Sequence, residues 1–177
     1  MTLAYANLDS ETRRFMLEEI EMDIGNDSVY VSNYLNDRGA AAWPDLLIAA
    51  ATNGTDNTLG YEIRSNNYLK TDVQRRKPSG GFTTAKVPIT AHETMGEGEF
   101  GRYYVRGLCR RAINEGIPEL IVYRAKEVMQ PRPGSEEKIG NRVVPQDILQ
   151  DLRTMPGVEP LLGLPPGPNS GLTLRLP

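Results

Sequence analysis

The chain has 177 residues, 39% of them hydrophobic and 24% charged, and a formal charge of −3. That length suits one domain with a proper core and is short for two. No run of 18 apolar residues occurs, which excludes a membrane-spanning helix, and the lone Cys109 excludes an internal disulfide.

Charge is unevenly spread. Residues 1–60 carry ten acidic and three basic side chains, a net of −7, whereas residues 61–140 carry ten and fourteen, a net of +4. An isoelectric point near 5.3 argues against a protein that coats nucleic acid non-specifically. A local basic face remains open, as does pairing of acidic and basic faces between copies. The first residues, MTLAYANLDSETRR, show no basic segment followed by an apolar run. Synthesis in a cytoplasm, without secretion, is expected from this and from the single cysteine.

In chain order, Asp9 or Ser10 reads as an N-cap with Leu8 as the staple residue before it. A first helix then places Phe15, Leu17, Ile20 and Ile24 roughly on one face and stops at Gly25-Asn26-Asp27. Val29-Tyr30-Val31-Ser32 is β-prone. Pro44, a favoured first helical residue, is expected to open a second helix that ends at Asn53-Gly54. Leu59 to Ile63 fits either a brief helix or a strand.

Residues 65–90 read as a long hairpin or extended arm, with Gly80-Gly81 near its tip and Lys70, Arg75, Arg76, Lys77 and Lys86 along it. Thr90-Ala91-His92-Glu93 has the form of a capping box, opening a central amphipathic helix at about 91–115 that Gly116-Ile117-Pro118 stops. Leu120 to Tyr123 is a buried strand. Gln130 to Gly134 turns away, and Pro145 to Arg153 is a short helix closed by Pro156-Gly157. Over residues 160–177 a Pro/Gly-rich tether carries the alternating run Leu172-Thr173-Leu174-Arg175-Leu176, a strand kept from folding back locally. The expected fold is a single α+β domain with a small sheet, a projecting arm and a C-terminal tethered strand.

Catalytic chemistry finds little material. His92 is the only histidine and lies seventeen residues from Cys109 on the same helix, about 25 Å apart at 1.5 Å per residue. The pair cannot form a dyad within one chain, and His92 reads as an exposed helix-start residue. One histidine and one cysteine also exclude the usual zinc sites. Gly96-Glu97-Gly98-Glu99-Phe100-Gly101 fits G-x-G-x-x-G in form, but it follows no strand and its glutamates would repel a pyrophosphate. Gly167 to Gly171 does not meet G-x-S-x-G. No catalytic residue, metal site, cofactor or small-molecule substrate is indicated, and the chain reads as a non-enzyme.

The segment EFGRYYVRGLCRRA carries four arginines within ten residues: Arg102, Arg106, Arg110 and Arg111. The first three, spaced by four, drift only about 40° per step and form one stripe on the helix. Gly96, Gly107 and Ala112 permit a neighbouring element to approach closely. The stripe fits an ordinary wet face, with Glu99 paired to Arg102, or guanidinium groups that bind carboxylates or phosphates of a partner. Glu18, Glu19, Glu21 and Asp23, expected on the outer face of the first helix, offer such carboxylates in each copy.

The run KVPITAHETMGEGEFGRYYVRGLCRRAINEGI and the ending GPNSGLTLRLP resemble uncharacterised proteins of tailed phages and prophages, over residues 86–177. The resemblance implies a phage context, where small non-enzymatic proteins with arms build or decorate the particle. The function expected is therefore a structural or assembly protein of the virion, in capsid, decoration layer or head–tail region. Its partners would be copies of itself or a major shell protein, met through Arg75, Arg76, Lys77, Arg102, Arg106, Arg110 and Arg111. The alternative is a nucleic-acid-associated protein contacting phosphates through the same residues.

Overall fold

Asp9 starts the first helix as an N-cap should: its carboxylate accepts from the Thr12 amide at 3.1 Å, and α1 runs Ser10–Gly25. The structure is a computed structural model describing residues 3–127, 134–154 and 171–177. Among these, no helix is long and apolar enough to cross a membrane.

The second helix, α2, spans Asp37–Asn53 and begins well before Pro44, which lies inside it. Asn36 is the reason. Its side chain accepts from the Gly39 amide at 2.9 Å, and Ala40-Ala41-Ala42 then propagate the helix with ease. Val29 to Ser32 forms no strand. With no strand edge beside it, this segment covers Trp43 instead, and the Tyr30 carbonyl accepts from the indole Nε1 at 2.9 Å. Leu59 to Ile63 belongs to a helix, α3 (Asp56–Ser65), opened by a reciprocal Thr55–Thr58 capping box.

The arm exists as a two-stranded antiparallel sheet of its own, β1 (Asp72–Arg76) and β2 (Phe82–Lys86), turning through Lys77 to Gly81. Val73 is buried at its base. The long helix α4 follows at Ala91–Asn114, but Thr90 makes no side-chain capping bond. Its ψ of 6° leaves it outside the extended geometry from which a capping hydroxyl reaches the first-turn amides. The capping-box expectation is corrected accordingly.

A three-stranded sheet completes the fold: β3 (Leu120–Arg124) lies between β4 (Arg142–Val143) and β5 (Leu172–Arg175), both antiparallel to it. The last helix, α5, spans Pro145–Thr154. The C-terminal strand thus packs on its own chain at long range, against β3 and not against its sequence neighbours. Leu172 and Leu174 are buried in the core, and the Leu174 carbonyl accepts from the Tyr104 hydroxyl at 3.1 Å. The turn expected at 130–133, the stop at Pro156-Gly157 and the tether at 160–170 lie outside the described residues.

One core joins all five helices to this sheet, so the chain is a single α+β domain. Trp43, Tyr104, Leu108, Ile63, Leu120 and Leu174 are each fully buried in it. The centre is α4, and two of its glycines set the helix spacing. A Cβ on Gly96 would stand 2.4 Å from the Asp56 carbonyl of α3, and one on Gly107 would stand 2.8 Å from the Met16 amide of α1. Both crossings need glycine for the backbones to approach this closely.

Candidate functional site

Contacts between α1 and α4 run antiparallel, from Asp9 beside Arg111 to Asp23 beside Tyr103. This arrangement sets two four-residue periods against each other: Glu19 and Asp23 on α1 face Arg106 and Arg110 on α4. Arg106, fully buried, donates Nη1 and Nη2 to the two Asp23 oxygens at 2.6 and 2.9 Å and Nε to Glu19 at 2.9 Å. Arg110 reaches Glu18 and Glu19, and Arg153 of α5 also closes on Glu19, at 2.6 Å. The Tyr103 hydroxyl donates to Asp23 at 2.8 Å.

The stripe is therefore an internal ion-pair ladder. Arg102 is also buried, donating to the Leu152 carbonyl and lying 3.6 Å from Glu99. Arg111 pairs with Asp9 and Glu115. For Arg102 and Arg106 the expected contact with an outside partner is corrected, because both are buried and bonded within the fold. Glu19 and Asp23 likewise face inward, not outward, and only Glu21 of the four acids is exposed. An arginine buried on a mostly apolar face is stable only if carboxylates are brought to it, and the acidic first helix supplies them.

Burial alone would raise the Glu19 and Asp23 carboxyls, but the guanidinium bonds outweigh it and hold both below their ordinary values. Glu99 goes the other way, raised by burial from 4.5 to about 7 against the weaker pull of Arg102. The signs oppose. Glu19 and Asp23 stabilise the fold above the carboxylate range and lose that contribution as pH falls through their lowered values. Glu99 binds its proton more tightly when folded, so its protonation stabilises the fold at low pH and that contribution fades as pH rises toward 7. Denaturant unfolding across pH is expected to show greatest stability near about pH 5, with decline on both sides. In Glu99→Gln the decline above that maximum is expected to shrink while the acid limb stays.

The arm presents a different picture. Opposed residues across the ribbon share a face, so Gln74, Arg76, Phe82, Thr84 and Lys86 point one way, and Val73, Arg75, Thr83 and Ala85 the other. The second face leans on the body through buried Val73 and a 2.8 Å bond from Arg75 to the Tyr34 hydroxyl. The first face is free. Arg76 and Lys77 make no ion pair among the described residues, and Phe82 stands 70% exposed opposite Arg76.

Two clefts adjoin at Arg64 and His92. One, of about 160 Å³, is edged by Asp56, Tyr61, Glu93 and Glu97; the other, of about 310 Å³, lies at the root of the arm. His92 is buried, contrary to expectation, because α3 packs over the first turn of α4 through Gly60. Asp56 holds the Leu3 amide at 3.1 Å, Glu97 pairs with Lys126, and burial raises the Asp56 carboxyl. No group of three metal-ligating side chains stands together among the described residues. Cys109 is fully buried, and desolvation pushes its thiol well up, away from the reactive thiolate. The G-x-G-x-x-G stretch lies within α4 and forms no phosphate loop.

Comparison with protein-family models, with curated proteins and with solved structures returns no match. Sequence reasoning missed Arg153 as the third guanidinium on Glu19, and the role of Arg64 in both clefts. The one available signal for Arg153 was its place in the last turn of a helix whose apolar residues face inward.

Proposed function

We propose that the chain is a non-enzymatic assembly protein of a tailed-phage particle, docking its arm onto an acidic face of a neighbouring subunit. One observation carries this reading: the arginines of α4 are bonded to groups of their own fold, whereas Arg76 and Lys77 on the arm are exposed and make no ion pair among the described residues. An isolated two-stranded ribbon gains little by standing alone in water. Residues 65–90 hold five basic and one acidic side chain, a net of +4, and with a total of −3 the rest of the chain carries −7. Arm and body of successive copies are thus complementary, a heterologous arrangement that builds rings or lattices. The phage setting rests on the resemblance of residues 86–177; copies of itself or a major shell protein are the partners it implies.

Sedimentation of the pure protein at low and high salt tests it. Self-association that weakens with salt is expected, and the double variant Arg76→Gln, Lys77→Gln is expected to be monomeric with unchanged thermal stability. A chain that stays monomeric at all concentrations and is absent from purified particles would count against assembly.

The pairing of Arg76 with exposed Phe82 on a two-stranded ribbon also supports a second reading, because such a ribbon fits the major groove of duplex DNA. Duplex binding by a monomer, with affinity falling steeply between about 50 and 200 mM salt, would favour that reading.

A further inference from the structure

Most cations on the body of this protein have an anionic partner. At the root of the arm three do not: among the described residues Arg64 and Lys86 make no hydrogen bond or ion pair through their side chains, and Lys70 donates only to the Asn33 carbonyl at 3.1 Å. All three line the larger cleft, of about 310 Å³. Among the described residues no carboxylate lines it. Asp72 stands opposite Lys86 in the ribbon register, yet forms no ion pair with it.

Beside the cations the lining is mixed, with Asn67, Thr71 and His92 next to apolar residues. Ile63, wholly buried, and Val87 form part of its wall, and Ile89, at 91% exposure, is the most exposed large hydrophobic side chain of the described residues. Lysines and arginines scattered over a wet surface need no ligand. Three cations without an ion pair beside wet apolar surface are a different case, because water alone satisfies neither Val87 nor Ile89.

We propose that this cleft binds a small organic anion, with a phosphate or carboxylate head against Arg64, Lys70 and Lys86 and an apolar ring against Val87 and Ile89. The head draws charge-assisted hydrogen bonds from three donors, and the body covers surface that is otherwise wet. Such a ligand bridges α3 and the strand β2, so occupying the cleft would fix the angle at which the arm leaves the body. The site goes beyond the docking function proposed above, since Arg75, Arg76 and Lys77 do not line it.

Phenyl phosphate, benzoate and inorganic phosphate are the probes, followed by titration calorimetry and by the methyl resonances of Val87 and Ile89. Phenyl phosphate is expected to bind saturably in the millimolar range and to shift those methyls. Inorganic phosphate is expected to bind more weakly for want of a ring. Tighter binding of phenyl phosphate than of benzoate assigns the head as phosphate, and the reverse order assigns it as carboxylate; either supports the site. Arg64→Gln and Lys86→Gln, both at exposed positions, are each expected to weaken binding about tenfold. Arg76→Gln with Lys77→Gln should leave it unchanged. Absence of saturable binding by both aromatic anions would overturn the proposal. Equal binding of inorganic and phenyl phosphate would overturn it too, as would equal loss in the arm-tip variant. Monomeric behaviour in sedimentation would remove the docking reading without touching this one.

Discussion

Replacing Arg106 with alanine is expected to lower the unfolding free energy by about 3–5 kcal/mol, much of the total stability of a domain this size. The cost does not come from losing a favourable charge pair, since a buried ion pair gains little over well-packed apolar groups. It comes from what is left behind. Glu19 would keep Arg110 and Arg153, but Asp23 would keep only two neutral hydroxyls, Tyr103 at 2.8 Å and Ser28 at a long 3.4 Å, while standing 5% exposed. Removing the orphaned acid as well should therefore recover much of the loss. The double variant Arg106→Met, Asp23→Leu is expected to be clearly more stable than Arg106→Ala in denaturant unfolding. A single variant within about 1 kcal/mol of the parent would mean that Arg106 is not enclosed by these carboxylates.

The second large effect belongs to Gly107. An alanine there places its Cβ 2.7 Å from Met16 Cγ, 2.8 Å from the Met16 amide nitrogen and 3.0 Å from the Thr12 carbonyl oxygen. The thioether can swing aside, but the two backbone atoms cannot, so α1 must move off α4. Overpacking of this kind costs about 1–3 kcal/mol, and here it would also stretch the Arg106–Asp23 bonds a turn away. Gly98, on the same helix, has nothing within 4 Å of a Cβ. Gly98→Ala is expected to stabilise by about 1 kcal/mol through helix propensity alone. Opposite shifts in melting temperature for the two substitutions would separate crossing geometry from propensity; equal shifts would contradict the close approach of α1 and α4.

Elements whose start or stop is written locally were legible in the sequence. Asp9 and Gly25 bound α1, Gly116-Ile117-Pro118 ends α4, and the glycines between two β-prone runs mark the arm. What local pattern could not supply was the partner of each face. Asn36 outweighs Pro44 as the start of α2 because a side-chain cap acts on the first-turn amides, while proline only tolerates that position. β5 returns to β3 because Leu172 and Leu174 find the core, a long-range match that no tether composition reveals. The arginine stripe was visible as a stripe. Its direction was not, since periodicity shows that residues share a face without showing what the face meets. The acidic first helix was the missing half, and only the antiparallel crossing at Gly107 joins the two. His92 misled for the same reason: α3 covers it from outside its own helix.

The arginines thus fall into two sets, those on α4 bonded within the fold and Arg76 on the arm exposed and without an ion pair among the described residues. Modification of the native protein with an arginine-specific dicarbonyl reagent, followed residue by residue in peptide mass spectra, tests that division most directly. Arg76 is expected to react rapidly and Arg110, one-third exposed, more slowly. Arg102 and Arg106 should react only once the chain unfolds. Arg106 reacting in the folded protein as fast as Arg76 would contradict the account.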